Sequence, residues 1–403
     1  MASSRSCFGI SWPTATGPIT TSTKVQRIAI DFTAAFSQSG GIGRYVRELT
    51  SALAALDAAN DYRLFVSGAA KGALPAALAA NFAWRPTAIS PRWLARIWHR
   101  ARLPLPIEFF TGKVDLYHAT DFVLPPSLGS TRTLLTVHDL SFIRVPEAAS
   151  PPLKAYLDAV VPRSVARADH ILADSAATKD DLIELYKTPA RKITVLYSGV
   201  DQRFRRVADR CALAAIGAKY GLAGGPYILS VGTLQPRKNY SRVIQALAEV
   251  RASGLNLRYA IAGGKGWLED GIQRTIAATG MEDFVHLLGY VDDEDLPALY
   301  SGSRMLLMPS LYEGFGLPVL EAMACGAPVI TSNLSSLPEV AGDAAILIDP
   351  TDSAALRDAI IAVETEPKLR ERLVENGYRQ AERFTWRRSA AELLKVYRSL
   401  LAG

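Results

Sequence analysis

From Lys24 onward, short β-branched and apolar runs alternate with longer Ala- and Leu-rich stretches of helical period, the pattern of βα units wound around parallel sheets. In the front half the runs predict strands near Val25–Asp31, Tyr62–Val66, Asp115–His118, Thr133–Val137, His170–Ala173 and Lys192–Leu196. In the back half they fall near Tyr227–Val231, Arg258–Ala262, Phe284–Leu287, Met305–Met308, Pro328–Thr331 and Ala344–Leu347. Helices fit between most of them, including Gly43–Leu56, Thr178–Tyr186, Asn239–Arg251, Glu294–Ser301 and Leu317–Cys325. The final stretch from Trp386 carries Ala390, Leu393, Leu394 and Tyr397 at helical spacing, which predicts a helix packed on a core. Two series of this kind predict an α/β protein of two Rossmann-like βαβ domains facing each other across a ligand cleft at the carboxyl ends of their strands. The expected layout is a disordered Ser- and Thr-rich leader over 1–23, a front domain over 24–205, a back domain over 206–385 and a helix over 386–403 that crosses back to the front domain.

Composition narrows the classes. A chain of 403 residues, 49% of them hydrophobic, is long and apolar enough for two closed cores, so disordered and fibrous classes are excluded. Cys7, Cys211 and Cys325 lie far apart without CxxC spacing, which excludes a disulfide scaffold and a zinc ribbon and suits a cytosolic protein with reduced thiols. Without an apolar run of about 20 residues, membrane contact is expected to be peripheral. No secretory signal follows Arg5. The charge is uneven: 24 cations against 16 acids through Arg205, then 21 against 23. The front half therefore suits an anionic partner, nucleic acid or an anionic membrane surface, while ordinary solvated surface accounts for the same charge.

The most informative stretch is Glu313-Gly314-Phe315-Gly316-Leu317-Pro318, running on through Glu321 to Gly326. It follows a predicted buried strand. Gly314 and Gly316 let the backbone approach a ligand, Pro318 suits a first helical turn, and Gly326 suits its stop. A glycine loop that feeds a helix N-terminus is a phosphate seat. Glu313 and Glu321, with seven residues between them, are placed to accept hydrogen bonds from sugar or ribose hydroxyls. Gly232 to Asn239 forms a second strand-to-helix element, in which Arg237 and Lys238 can meet the charge of a departing diphosphate. An exposed basic pair is the competing explanation, but cations at a helix start oppose the helix dipole unless an anion is bound. Gly263-Gly264-Lys265-Gly266-Trp267 also follows a predicted strand and is weak alone. Gly40-Gly41-Ile42-Gly43 opens a front-half helix without the GxGxxG spacing of a dinucleotide fold. His118 and His138 both sit at predicted strand ends; His118 reads as structural, and His138, beside Asp139, is the better catalytic candidate.

With these motifs, together with Ala173-Asp174-Ser175, Tyr197 to Asp201 and Gly289 to Asp293, the chain resembles the family 4 retaining glycosyltransferases from about Val25 to its C-terminus. The resemblance implies a glycosyltransferase-B architecture, with the nucleotide-sugar on the back domain and the acceptor on the front. It implies that Glu321 binds the ribose, Glu313 the donor sugar, and Arg237 and Lys238 the diphosphate, with Tyr290 or Val291 near the base. Gly232, Gly263 and the loop residues Gly314, Phe315, Gly316 and Leu317 would line the donor, Gly41 and Gly43 would lie beside the phosphates, and His138 beside the sugar. It further implies retention and no bound metal, Arg237 and Lys238 taking the place of a divalent ion, with Asp292-Asp293 read as helix-capping acids. No cofactor is expected beyond the nucleotide-sugar co-substrate. GDP-mannose fits the pattern best, and UDP-sugars share the motifs. The expected acceptor is a glycan or polyprenyl-linked glycan of a cell-surface polysaccharide such as lipopolysaccharide. The expected location is the cytoplasm, at the inner face of the plasma membrane, with no nucleic acid partner. The segment 92–102, rich in Arg and Trp, reads equally as a helix on an anionic membrane and as a packed helix with solvated arginines. Rival activities are a nucleotide-sugar epimerase or oxidoreductase, a glycoside hydrolase using Glu313 and Glu321, and a silent sugar-nucleotide binder.

Overall fold

A computed structural model describes residues 24–38, 40–70, 74–264, 266 and 270–402. The expected leader over 1–23, and Lys265 and Trp267 of the glycine-rich turn, lie outside the described residues. The described residues divide into two units: one comprises 24–140, Pro151–Gly199 and the helix from Trp386, and the other Ser141–Ser150 and Val200–Thr385.

In the first unit the strands are β1 (Arg27–Asp31), β2 (Asp61–Ser67), β3 (Phe82–Thr87), β4 (Leu116–Ala119), β5 (Arg132–Val137), β6 (His170–Ala173) and β7 (Ile193–Val195). They form one parallel sheet in the order β3-β2-β1-β4-β5-β6-β7. Ile28 pairs with Tyr62 on one side and Leu116 on the other, and all three are buried, as expected where helices cover both sheet faces. Strand β3 has no counterpart among the predicted runs, and it contains Pro86, a residue that argues against a central strand. The structure tolerates that proline because β3 is the sheet edge, where a missing N–H breaks no second ladder.

The helix Gly41–Leu56 starts two residues earlier than its predicted bound and buries Tyr45, Val46, Leu49 and Leu53. A Cβ at Gly43 would lie 2.0 Å from the Gln38 carbonyl oxygen, so only glycine fits there. The last helix, Trp386–Ala402, packs in this unit: Trp386 meets Tyr45 edge-on at 5.9 Å, and Ser389 donates to the Tyr197 carbonyl at 2.6 Å. The segment expected as one helix over 92–102 is instead a short helix, Pro91–Ala95, followed by a single π-helical turn, Arg96–Arg100.

The second unit holds β8 (Tyr227–Val231), β9 (Arg258–Ala262), β10 (Val285–Gly289), β11 (Leu306–Met308), β12 (Val329–Ser332) and β13 (Ala345–Ile348), again all parallel, in the order β10-β9-β8-β11-β12-β13. Its core is built on Ile228, Ile244, Leu247, Ile261, Leu307 and Ile360. In each sheet the strand order reverses beside the first strand: β1 lies against β4, and β8 against β11. Connections leave in opposite directions at such a point, which opens a crevice at the carboxyl ends of the two strands. Among the described residues no helix is long and apolar enough to cross a membrane.

Candidate functional site

In the second unit, the loops leaving β8 and β11 carry the two motifs that stood out in the sequence. Asn239, at φ +62°, redirects the chain from the turn Pro236–Lys238 into the helix Tyr240–Ala252, and its side-chain amide donates to the carbonyls of Pro309 and Pro350. The second loop enters its helix, Leu317–Ala324, through Gly316 at φ +112°, a conformation that needs glycine. The two loops are joined through the backbone: the Leu311 N–H donates to the Arg237 carbonyl at 2.8 Å, and the Arg237 guanidinium donates to the Tyr312 carbonyl at 2.9 Å.

This joins three charges. The Arg237 guanidinium is 2.9 Å from Glu313 Oε2, and Lys238 Nζ is 2.7 Å from Glu313 Oε1. Burial would raise the Glu313 pKa, but the charges of Arg237 and Lys238 and a hydrogen bond from Lys238 outweigh it and hold the carboxyl down at about 2. At neutral pH the trio therefore carries two positive charges and one negative. Glu313 lies on the loop that enters the Leu317–Ala324 helix, and a helix N-terminus favours an anion.

The supporting residues were not legible in the sequence. Ser335, itself at φ +53°, accepts from the Glu313 N–H at 2.9 Å, and the Ser336 hydroxyl reaches the carbonyls of Glu313 and Phe315 at 2.9 and 2.7 Å. Their only signal was a Ser-Ser pair after β12. Tyr300, fully buried, donates to Glu321 Oε2 at 2.8 Å and fixes that carboxylate on its helix.

The glycines near the loops have packing reasons. A Cβ on Gly263 would lie 2.0 Å from the Gly232 carbonyl oxygen, so these two residues let the turns after β8 and β9 touch. Val291 is buried and Tyr290 is 59% exposed beyond β10, at the edge of this sheet. Asp292 and Asp293 are not helix caps: the cap position of Leu296–Gly302 falls to Asp295, which is bound by Lys219 and Tyr220, while Asp293 pairs with Arg203 at 3.6 Å.

In the first unit His138 follows β5. One ring nitrogen faces Asp174 Oδ2 at 2.8 Å and the other the Thr120 carbonyl at 2.8 Å. A carbonyl and a carboxylate both accept, so both ring N–H groups donate and the ring is an imidazolium. Burial opposes that charge, but Asp174, its hydrogen bond and Asp121 raise the pKa to about 9. In this state His138 contributes positive charge and has no free lone pair with which to accept a proton. His118 is structural: buried, hydrogen-bonded to Tyr397 and Thr136 at 2.8 Å each, and held neutral by burial at about 3.

Two family models divide the chain between them: Glycosyltransferase Family 4 over residues 39–204 and Glycosyl transferases group 1 over 216–380. The O-antigen chain mannosyltransferase B of Escherichia coli is 33% identical over 377 residues, covering 89% of this chain and 96% of that one. The chain belongs to the family 4 glycosyltransferases. Solved structures agree on the glycosyltransferase-B fold. A sucrose-phosphate synthase from Thermosynechococcus elongatus matches with TM-score 0.73 at 22% identity, over 94% of this chain and 99% of its own. Anabaena HepE in complex with UDP and glucose matches with TM-score 0.68 at 18% identity, over 93% and 99%. In this glycosyltransferase the loops after β8 and β11 meet at the switch point of the second sheet.

Proposed function

We propose that this glycosyltransferase moves mannose from GDP-mannose, with retention and without a metal ion, onto a glycan or lipid-linked glycan acceptor of a cell-surface polysaccharide, working in the cytoplasm at the inner face of the membrane. The observation that carries the reading is the Arg237–Glu313–Lys238 trio at the β8/β11 switch point. A diphosphate seated against Gly316 and the start of its helix would meet both cations, and Glu321, fixed by Tyr300, would take the ribose. Departure of the diphosphate builds negative charge on the bridging oxygen. Arg237 and Lys238, already ordered by Glu313, oppose that charge without further reorganisation. An oxocarbenium-like sugar then accepts the acceptor hydroxyl on the face the diphosphate left, and the hydroxyl proton passes to the leaving phosphate. The mannosyl and polysaccharide assignments follow the E. coli relative.

A UDP-sugar donor is the second reading, supported by the similarity in fold to the UDP-bound Anabaena enzyme. The test is transfer from GDP-mannose and from UDP-glucose to a lipid-linked glycan, with the anomeric configuration of the product read by NMR. Retained mannose from GDP-mannose supports the proposal. Transfer only from UDP-glucose overturns the donor, and an inverted product overturns the mechanism.

A further inference from the structure

The sequence of 92–102 reads equally as a helix on an anionic membrane and as a packed helix with solvated arginines. The structure sorts the side chains of this region differently, into an inner and an outer row. Leu94 is buried, Trp98 donates from its indole to the Leu105 carbonyl at 2.8 Å, and Phe110 packs edge-on against Trp98 at 6.0 Å and in a tilted contact against Phe65 at 5.6 Å. These anchor the segment to its own unit. Facing outward are Trp93, 58% exposed, Leu103, 53%, and Phe109, 72%. Three large apolar side chains left in water on one short stretch call for a partner.

They form a neighbourhood. The Leu103 N–H donates to the Ile97 carbonyl, folding Leu103 back against the π-turn, and Phe109 meets Phe110, which touches Trp98. Leu128, 47% exposed, donates its N–H to the carboxylate of Glu108, next to Phe109. Around this apolar rim, Arg92, Arg96, Arg100 and Arg102 are all exposed, and Arg96 stacks over Trp93 at 4.7 Å. The acid within the segment, Glu108, is buried and bound to Leu128 and Thr131; Asp158 on the neighbouring helix Pro151–Arg167 is paired with Lys154. Exposed aromatic and aliphatic side chains interspersed with exposed arginines along one segment match a surface that is apolar below and anionic above.

We propose that this face, carried by Trp93, Leu103, Phe109 and the four arginines, seats the enzyme on an anionic lipid bilayer. The proposal deepens and rests on the membrane-face location given above. Vesicle binding and sugar transfer are read separately, so either can fail alone. The full chain is sedimented with vesicles of 70% phosphatidylcholine and 30% phosphatidylglycerol, and with phosphatidylcholine alone, at 50 and 500 mM salt. The expected result is binding to the anionic vesicles that weakens about tenfold or more at high salt. Trp93→Ala with Phe109→Ser, both exposed positions, should weaken binding about tenfold with the melting temperature and transfer to a soluble acceptor unchanged. Arg92→Gln with Arg96→Gln, Arg100→Gln and Arg102→Gln should remove the salt dependence. Absent binding, equal binding to neutral vesicles, or a double variant that binds like wild type overturns the proposal. So does self-association that the same substitutions abolish, which would assign the face to a second copy.

Discussion

The ion trio after β8 and β11 and the His138–Asp174 pair after β5 and β6 are both buried charge clusters at the carboxyl ends of parallel strands, but they are built for different ends. Arg237, Lys238 and Glu313 together carry two positive charges and one negative, on loops that lead into helix N-termini, where an anion is favoured. His138 and Asp174 neutralise each other, and the remaining ring N–H is taken by a backbone carbonyl. A cluster that is cationic in sum suits an anionic ligand; a balanced pair with both ring nitrogens bonded ties loops together. The strand-end position alone does not distinguish them.

Four substitutions and a pH series sharpen that contrast. The largest effect is expected at Asp174→Ala, which strands the buried imidazolium and should cost about 3–5 kcal/mol, read as a lower melting temperature of the first unit. Little change in melting would mean the pair is not the buried ionic element described. Lys238→Ala should leave the protein folded, by circular dichroism, and lower kcat about 100- to 1,000-fold, the loss seen when one preorganised stabilising donor is removed. A kcat within a factor of two of wild type would detach Lys238 from the departing diphosphate.

The pH dependence should split by region. Glu313, lowered to about 2, contributes stability that is full above its ordinary range and lost as pH falls from about 4.5 toward 2. His138, raised to about 9, contributes stability that is full below about 6.5 and lost as pH rises through 9. The second unit should therefore weaken in acid and the first in base, and His138→Gln should flatten the alkaline limb of the melting profile. The smallest effect is expected at Tyr300→Phe, which keeps the ring but releases the Glu321 carboxylate. It should weaken nucleoside diphosphate binding roughly tenfold and narrow the preference over the 2′- and 3′-deoxy analogues, with kcat within about twofold. An unchanged ribose preference would mean that Tyr300 does not position Glu321.

Much of the fold was legible because local chemistry and global topology agree in this chain. The β-branched runs marked twelve strands, and Pro318 and Gly326 marked the helix after β11 to within a residue or two. Strand β3 was missed; it contains Pro86, which only an edge strand tolerates, and the position of an edge is a property of the sheet. The site was legible as two motifs and not as one cluster. Nothing in the sequence says that Glu313 reaches back to Arg237 and Lys238, because that contact depends on β8 lying against β11. The occupied nitrogens of His138 were equally invisible, since Asp174 and Thr120 arrive from other strands. Asp292 and Asp293 were misassigned because Lys219 and Arg203, distant in sequence, turn that loop into an ion-pair network.

The central claim is that the Arg237–Glu313–Lys238 trio seats a diphosphate, and calorimetric titration with GDP, UDP and the matching nucleosides tests it most directly. Wild type should bind one nucleoside diphosphate at least tenfold more tightly than its nucleoside, and Lys238→Ala should erase most of that difference while leaving nucleoside binding as it was. Equal affinity for nucleoside and diphosphate in wild type, or an unchanged difference in the variant, would contradict it.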